Sequence, residues 1–173
     1  AKTFYLRLLL AGHEDLVCEV DEAVTTRLKS VLADQPLRHR FFWFDTEDGR
    51  SVIFNTNHLQ GVRYLWDAGQ RVPPEVDEDS DEGHEFDIAL CGREVLSEFP
   101  SEDPKDVYTL FWELELGNDE LFTFIDFDGE EFTLVASQIV YLSPPLEDIE
   151  EGRRQVAAED GLGEPPVRLV PAR

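Results

Sequence analysis

Ala11-Gly12-His13-Glu14 returns eighty positions later as Cys91-Gly92-Arg93-Glu94, and the same interval carries Phe42-Trp43-Phe44 onto Phe122-Thr123-Phe124 and Asp48-Gly49 onto Asp128-Gly129. After a contraction of three residues, Gly61-Val62-Arg63-Tyr64-Leu65 aligns with Gln138-Ile139-Val140-Tyr141-Leu142. Four anchors in one order, separated by small gaps, read as a tandem duplication, and that reading sets the fold expectation.

Each unit resolves by its hydrophobic period. Phe4 to Leu10 and Leu16 to Val20 are β-compatible runs around a Gly12 turn, which predicts a hairpin. Asp21 is an N-cap for a helix with Val24, Leu28, Val31 and Leu32 on one stripe. In the second unit Asp103 caps, Pro104 opens, Val107, Leu110, Phe111 and Leu114 form the stripe, and Gly117 closes. Thr109-Leu110-Phe111-Trp112 also suits a strand. Arg40 to Asp45, Ser51 to Asn55 and Gly61 to Trp66 then read as a meander, repeated by Leu121 to Asp126, Glu131 to Val135 and Gln138 to Leu142.

The expected fold is therefore α+β: a ββαβββ unit, one helix on a five-stranded antiparallel sheet, twice. Many aromatics, Phe41, Trp43, Trp66, Phe122, Phe124 and Phe132 among them, require the second sheet face to be covered, which predicts that the units pack as a pseudo-dimer. The expected boundaries are residues 1–67 for the first repeat, 68–87 for an acidic flexible linker, 88–145 for the second repeat and 146–173 for a weakly ordered tail.

The chain has 173 residues, 38 Asp+Glu against 15 Lys+Arg, and a formal net charge of -23. Such a balance opposes direct nucleic-acid binding and attraction to anionic membranes. Its 42% hydrophobic content is too high for an acidic disordered chain. No run approaches the ~18 apolar residues of a membrane span. Ala1-Lys2-Thr3-Phe4-Tyr5 holds no signal core, and Ala1 is consistent with initiator-methionine removal, so a cytoplasmic location is expected, with Cys18 and Cys91 as buried reduced thiols. Charge is uneven: residues 1–69 hold 8 basic and 10 acidic side chains, whereas residues 88–145 hold 2 and 13. Packing of the two units would set Arg7, Arg27, Lys29, Arg38, Arg40, Arg50 and Arg63 against or beside an acidic sister.

Chemistry-bearing motifs are sparse. Asp126-Phe127-Asp128-Gly129-Glu130-Glu131 resembles a calcium-loop fragment, but position 135 is Val and the counterpart Asp45 to Arg50 ends in Arg, so an Asp-Gly turn explains both copies. His13, His39, His58 and His84 share no metal spacing and read as surface residues, and neither cysteine sits in a CxxC pair. Nucleophile-elbow, dinucleotide and P-loop signatures are missing, so no catalytic, cofactor or metal residue is assigned.

Asn57-His58-Leu59-Gln60-Gly61-Val62-Arg63-Tyr64-Leu65, and more faintly Ser137 to Leu142, resembles the closing strand pair of Sm-like proteins over fewer than ten residues per unit. That resemblance implies, as an alternative fold, two small Sm-like or SH3-like barrels with a helix each, and contact with RNA.

The leading expectation for function is a non-enzymatic protein-binding or regulatory module. Its acidic face would comprise Glu113, Glu115, Asp119, Glu120, Glu130 and Glu131, and it would take a partner with a basic surface or self-associate. The alternatives are a nucleic-acid mimic that occupies a basic DNA- or RNA-binding protein, and an enzyme with a site between the units.

Overall fold

The computed structural model describes residues 2–34, 41–67, 85–98, 104–117, 120–125 and 130–159. The first half runs β1 (Thr3–Leu10), β2 (Leu16–Val20), α1 (Glu22–Ala33), β3 (Phe41–Asp45), β4 (Ser51–Asn55), a 3₁₀ turn (Thr56–His58) and β5 (Leu59–Asp67). The second runs β6 (Phe86–Leu90), β7 (Leu96–Glu98), α2 (Pro104–Leu116), β8 (Leu121–Ile125), β9 (Glu131–Val135), a 3₁₀ turn (Ala136–Gln138) and β10 (Ile139–Ser143). A third helix, α3 (Leu146–Glu159), follows.

Local signals place these elements. The Asp21 carboxylate accepts from the Ala23 N–H at 2.9 Å and so caps α1, whose Leu28 and Val31 are buried. Residues 104–116 are helical, which decides between the two readings of that stretch, and the Gly117 N–H closes the helix on the Glu113 carbonyl at 3.0 Å. Gly12 and Gly92 adopt φ of 75° and 74°, a left-handed conformation that only glycine takes without strain, and each turns a hairpin. The expected cap Asp103, His39, His84, the turn at Asp128-Gly129, most of the linker and residues 160–173 lie outside the described residues.

The ladders of the two halves share one register. Leu8 faces Val62 and Leu10 faces Leu59, with an irregularity between Leu9 and Leu10; Ile88 faces Leu142 and Leu90 faces Ile139, with an irregularity on the same stretch. Phe42 faces Phe54, and Phe122 faces Leu134. The Ala11 N–H donates to the His58 carbonyl at 2.9 Å, and the Cys91 N–H to the Gln138 carbonyl at 2.9 Å. All of these pairs are displaced by 80 positions. By ladder position the last strands also lie 80 residues apart, without the expected contraction of three: Gly61 faces Leu9 as Tyr141 faces Ala89.

The sheets differ from expectation. Instead of one five-stranded sheet per half there are three antiparallel sheets, in orders β2-β1-β5, β3-β4-β10-β6-β7 and β8-β9, and no barrel closes among the described residues. The β3-β4 hairpin leaves its own half and joins β10, with Phe54 opposite Tyr141 and Ile53 opposite Leu142. Side-chain chemistry explains the move. Phe41, Trp43 and Ile53 on one face and Phe42, Phe44, Val52 and Phe54 on the other are all at most 4% exposed. A hairpin apolar on both faces is stable only inside a sheet covered on both sides. The second hairpin carries Thr123, Thr133 and Glu131 on its outward face and remains a separate two-stranded sheet.

Two cores result, one on each face of the five-stranded sheet. On one face Phe42, Phe44, Phe54, Ala89 and Tyr141 pack with Leu6, Leu8 and Leu10 of β1 and with Leu28 and Val31 of α1. On the other, Phe41, Trp43, Ile53, Phe86 and Ile88 meet Phe111 and Leu114 of α2, Phe122 and Leu134 of the second hairpin, and Ile149 of α3. Trp43 is fixed by an edge-on ring contact with Phe111 (centroids 5.2 Å apart) and by an Nε1–H bond to Ser51 Oγ at 2.9 Å. The stretch that begins the expected weak tail is thus a docked helix. A Cβ on Gly152 of α3 would lie 2.2 Å from the Pro104 carbonyl oxygen, so hydrogen is the only substituent that this crossing admits.

Candidate functional site

The acidic residues singled out above divide by position. Glu113 on α2 and Glu131 on β9 line one cleft of about 410 Å³ together with Asp106, Thr109 and Leu110 of α2 and Leu121, Phe122 and Thr123 of β8. Helical spacing explains the α2 contribution: Asp106, Thr109, Leu110 and Glu113 fall at i, i+3, i+4 and i+7, one flank of the helix. Glu115, two positions beyond Glu113, lies about 200° around the helix and does not line the cleft. Glu120 accepts at its carbonyl from the Ala136 N–H at 2.8 Å, which ties the start of the hairpin to its end. Glu130 is exposed immediately before β9, and Asp119 lies outside the described residues.

The cleft joins negative charge to an apolar floor. Phe122 and Leu110 are buried, while Leu121 at the rim is 63% exposed. Lys105, the sole basic residue of α2, is engaged with Glu159 at the end of α3. Asp106, seven residues before Glu113 on the same flank of α2, was not among the acidic residues expected to form the face.

A second concavity, of about 800 Å³, lies where the two Gly turns meet. Gly12, His13, Glu14 and Asp15 face Gly92, Arg93, Glu94 and Val95, with Tyr141 between them. Of the four histidines expected at the surface, the two that are described are half-buried and bridge the halves: His13 Nε2 lies 2.7 Å from the Leu90 carbonyl oxygen and His58 Nε2 lies 2.9 Å from that of Ser137. A carbonyl only accepts, so each Nε2 carries the proton. Cys91 Sγ sits 3.5 Å from that same His58 Nε2 and 4.0 Å from Nδ1. No protein-family model, curated protein or solved structure matches the chain.

Burial foremost, and the charge of Asp48, push the Cys18 thiol up to about 12. Burial, then Asp87, raises Tyr141 above its ordinary range, and burial does the same for Tyr64. Both cysteines are free, Cys18 buried and Cys91 half-buried. Among the described residues no three His, Cys, Asp or Glu side chains could hold a metal ion, and no helix is long and apolar enough to cross a membrane. Of the first-half cations named above, Arg50 does reach the second half: it donates to the Glu85 carbonyl at 2.8 Å and to the Ser143 carbonyl, and lies 3.8 Å from Asp87. Arg27 stays within its own half, donating to the Trp43 carbonyl at 2.7 Å and covering the Phe42 ring.

Proposed function

We propose that the protein is a non-enzymatic binding module, two tandem copies of a ββαβββ unit packed as a pseudo-dimer, which docks a basic, partly apolar protein segment in the cleft between α2 and the β8-β9 hairpin. The observation that carries the docking site is the convergence of Asp106, Glu113 and Glu131 on a floor of Leu110 and Phe122 with Leu121 exposed at the rim. Charge of one sign around an apolar floor selects a partner with Lys or Arg flanking aliphatic residues. The common 80-residue displacement of ladders, turns and backbone bonds supports the duplication, and the sheet shared through β4 and β10 supports the pseudo-dimer.

The test uses a fluorescent decapeptide of alternating lysine and leucine. Anisotropy should show saturable binding that weakens about tenfold between 50 and 300 mM salt and a further several-fold with Glu113→Gln or Glu131→Gln. Binding that ignores both salt and these substitutions, or no binding at all, refutes the docking site.

A further inference from the structure

We propose that the protein forms a homodimer in which β9 of one copy pairs with β5 of the other, in the register that already joins β4 to β10 within the chain. The inference begins from two strand edges. Among the described residues β5 has a strand neighbour only in β1, and β9 only in β8. These are the counterparts, at 80 residues, of β10 and β4, which do pair. One junction of the two that the shared register allows is therefore made inside the chain, and among the described residues the other is left open.

The observed pairs Phe54–Tyr141 and Ile53–Leu142 transfer to Leu134–Gly61 and Thr133–Val62. Continuing that ladder sets Glu131 opposite Tyr64 and Glu130 opposite Leu65. Three further observations fit a second copy. First, of the seven large apolar side chains that stand exposed among the described residues, four belong to β5 and the β8-β9 hairpin: Leu65 (41%) and Trp66 (62%) on β5, Leu121 (63%) on β8 and Val135 (41%) on β9. An unpaired edge with exposed apolar neighbours is a template for another strand.

Second, the charges are complementary. Lys29 Nζ lies 4.6 Å above the Tyr64 ring, Lys2 Nζ lies 4.8 Å above Trp66, and Arg63 is exposed on the same strand, whereas Glu131 opens β9 and Glu130 precedes it. The pairing thus places Glu131 beside the cation over Tyr64. Third, the polar pair that the junction would bury is already satisfied, since the Thr123 and Thr133 hydroxyls share a 2.7 Å hydrogen bond. A two-fold axis lets each copy offer β9 and receive at β5, so the interface closes on itself.

The inference deepens the proposed function, on whose docking face it rests in part. The second copy covers Leu121, Thr123 and Glu131, and so competes with a basic segment for the cleft. In the test, full-length chains carrying Cys91→Ser and either Val62→Cys or Thr133→Cys are mixed and mildly oxidised. A covalent dimer needs one of each chain, and a mixture of Val62→Cys with Leu121→Cys chains serves as the out-of-register control. A dimer from the first mixture alone supports the pairing; equal yield from both, or none, overturns it. Sedimentation should show concentration-dependent dimers for the unaltered chain, weakened about tenfold by Arg63→Glu. If the unaltered chain stays monomeric while the lysine–leucine peptide binds, the homodimer fails and the docking site stands. If the disulfide forms in register but the peptide does not bind, the docking site fails and the homodimer stands.

Discussion

Gly152→Ala sets two effects of opposite sign against each other on α3. Replacing a helix-interior glycine by alanine favours the helix by about 1 kcal/mol. Against that, the new Cβ would stand 2.2 Å from the Pro104 carbonyl oxygen and 2.7 Å from Tyr108 Cβ. Ordinary contact begins about 1.2 Å further out, and the first obstacle is backbone that cannot rotate away. α3 must therefore retreat from α2, loosening the fully buried Ile149, an overpacking cost of about 1–3 kcal/mol on top of lost burial of roughly 1–2 kcal/mol. The net expectation is destabilisation by about 1–4 kcal/mol. Urea unfolding followed by tryptophan fluorescence and far-UV circular dichroism measures it, as a lower midpoint at unchanged slope. Stabilisation by about 1 kcal/mol would mean that propensity alone operates and that the two helices do not cross in contact.

Other outcomes follow from the same packing. Trp43→Phe removes the bond to Ser51 and leaves space beside Phe111, so stability should fall by about 1–3 kcal/mol in the same urea assay. Arg50→Met strips the Glu85 and Ser143 carbonyls of a charged donor and should cost about 1–3 kcal/mol, more than Arg63→Met on the exposed face of β5. In native protein at pH 8, a thiol reagent should modify Cys91 well before Cys18, whose thiol is held protonated up to about 12. That shift also has a stability consequence: the folded state holds the Cys18 proton more tightly than the unfolded chain, whose thiol has the ordinary 9.0, so the contribution is complete below pH 9 and is lost as pH rises from 9 towards 12. Tyr64 and Tyr141, both raised, add to the alkaline loss with the same sign. Unfolding midpoints that rise with pH across that window would contradict the burial of these groups.

Local order was legible because local chemistry carries it. The cap at Asp21, the stripe of Leu28 and Val31 and the turn at Gly12 each leave a signature within one element. Sheet membership was not, because a ββαβββ order satisfies a strand's backbone equally well within its own half or in the other. The decisive clue was present in Phe41 to Phe44 and Val52 to Phe54, apolar on both faces, against Thr123 and Thr133 in the sister hairpin. Read as coverage on two sides, it places the first hairpin inside a sheet and the second at the periphery. The candidate cleft was half legible: Glu113 and Glu131 were named, whereas Asp106 and Leu121 join them only once α2 lies beside β8. The role of His13 and His58 as donors to carbonyls across the halves leaves no spacing that a sequence could reveal.

The joining of the halves through β4 and β10 is tested most directly by native-state amide hydrogen exchange at Ile53, Phe54, Tyr141 and Leu142. A shared sheet predicts that the amides of both strands exchange only by global opening, with one common free energy that falls together when either strand is destabilised. Exchange of β4 and β10 with two separate free energies, each following substitutions in its own half alone, would contradict it.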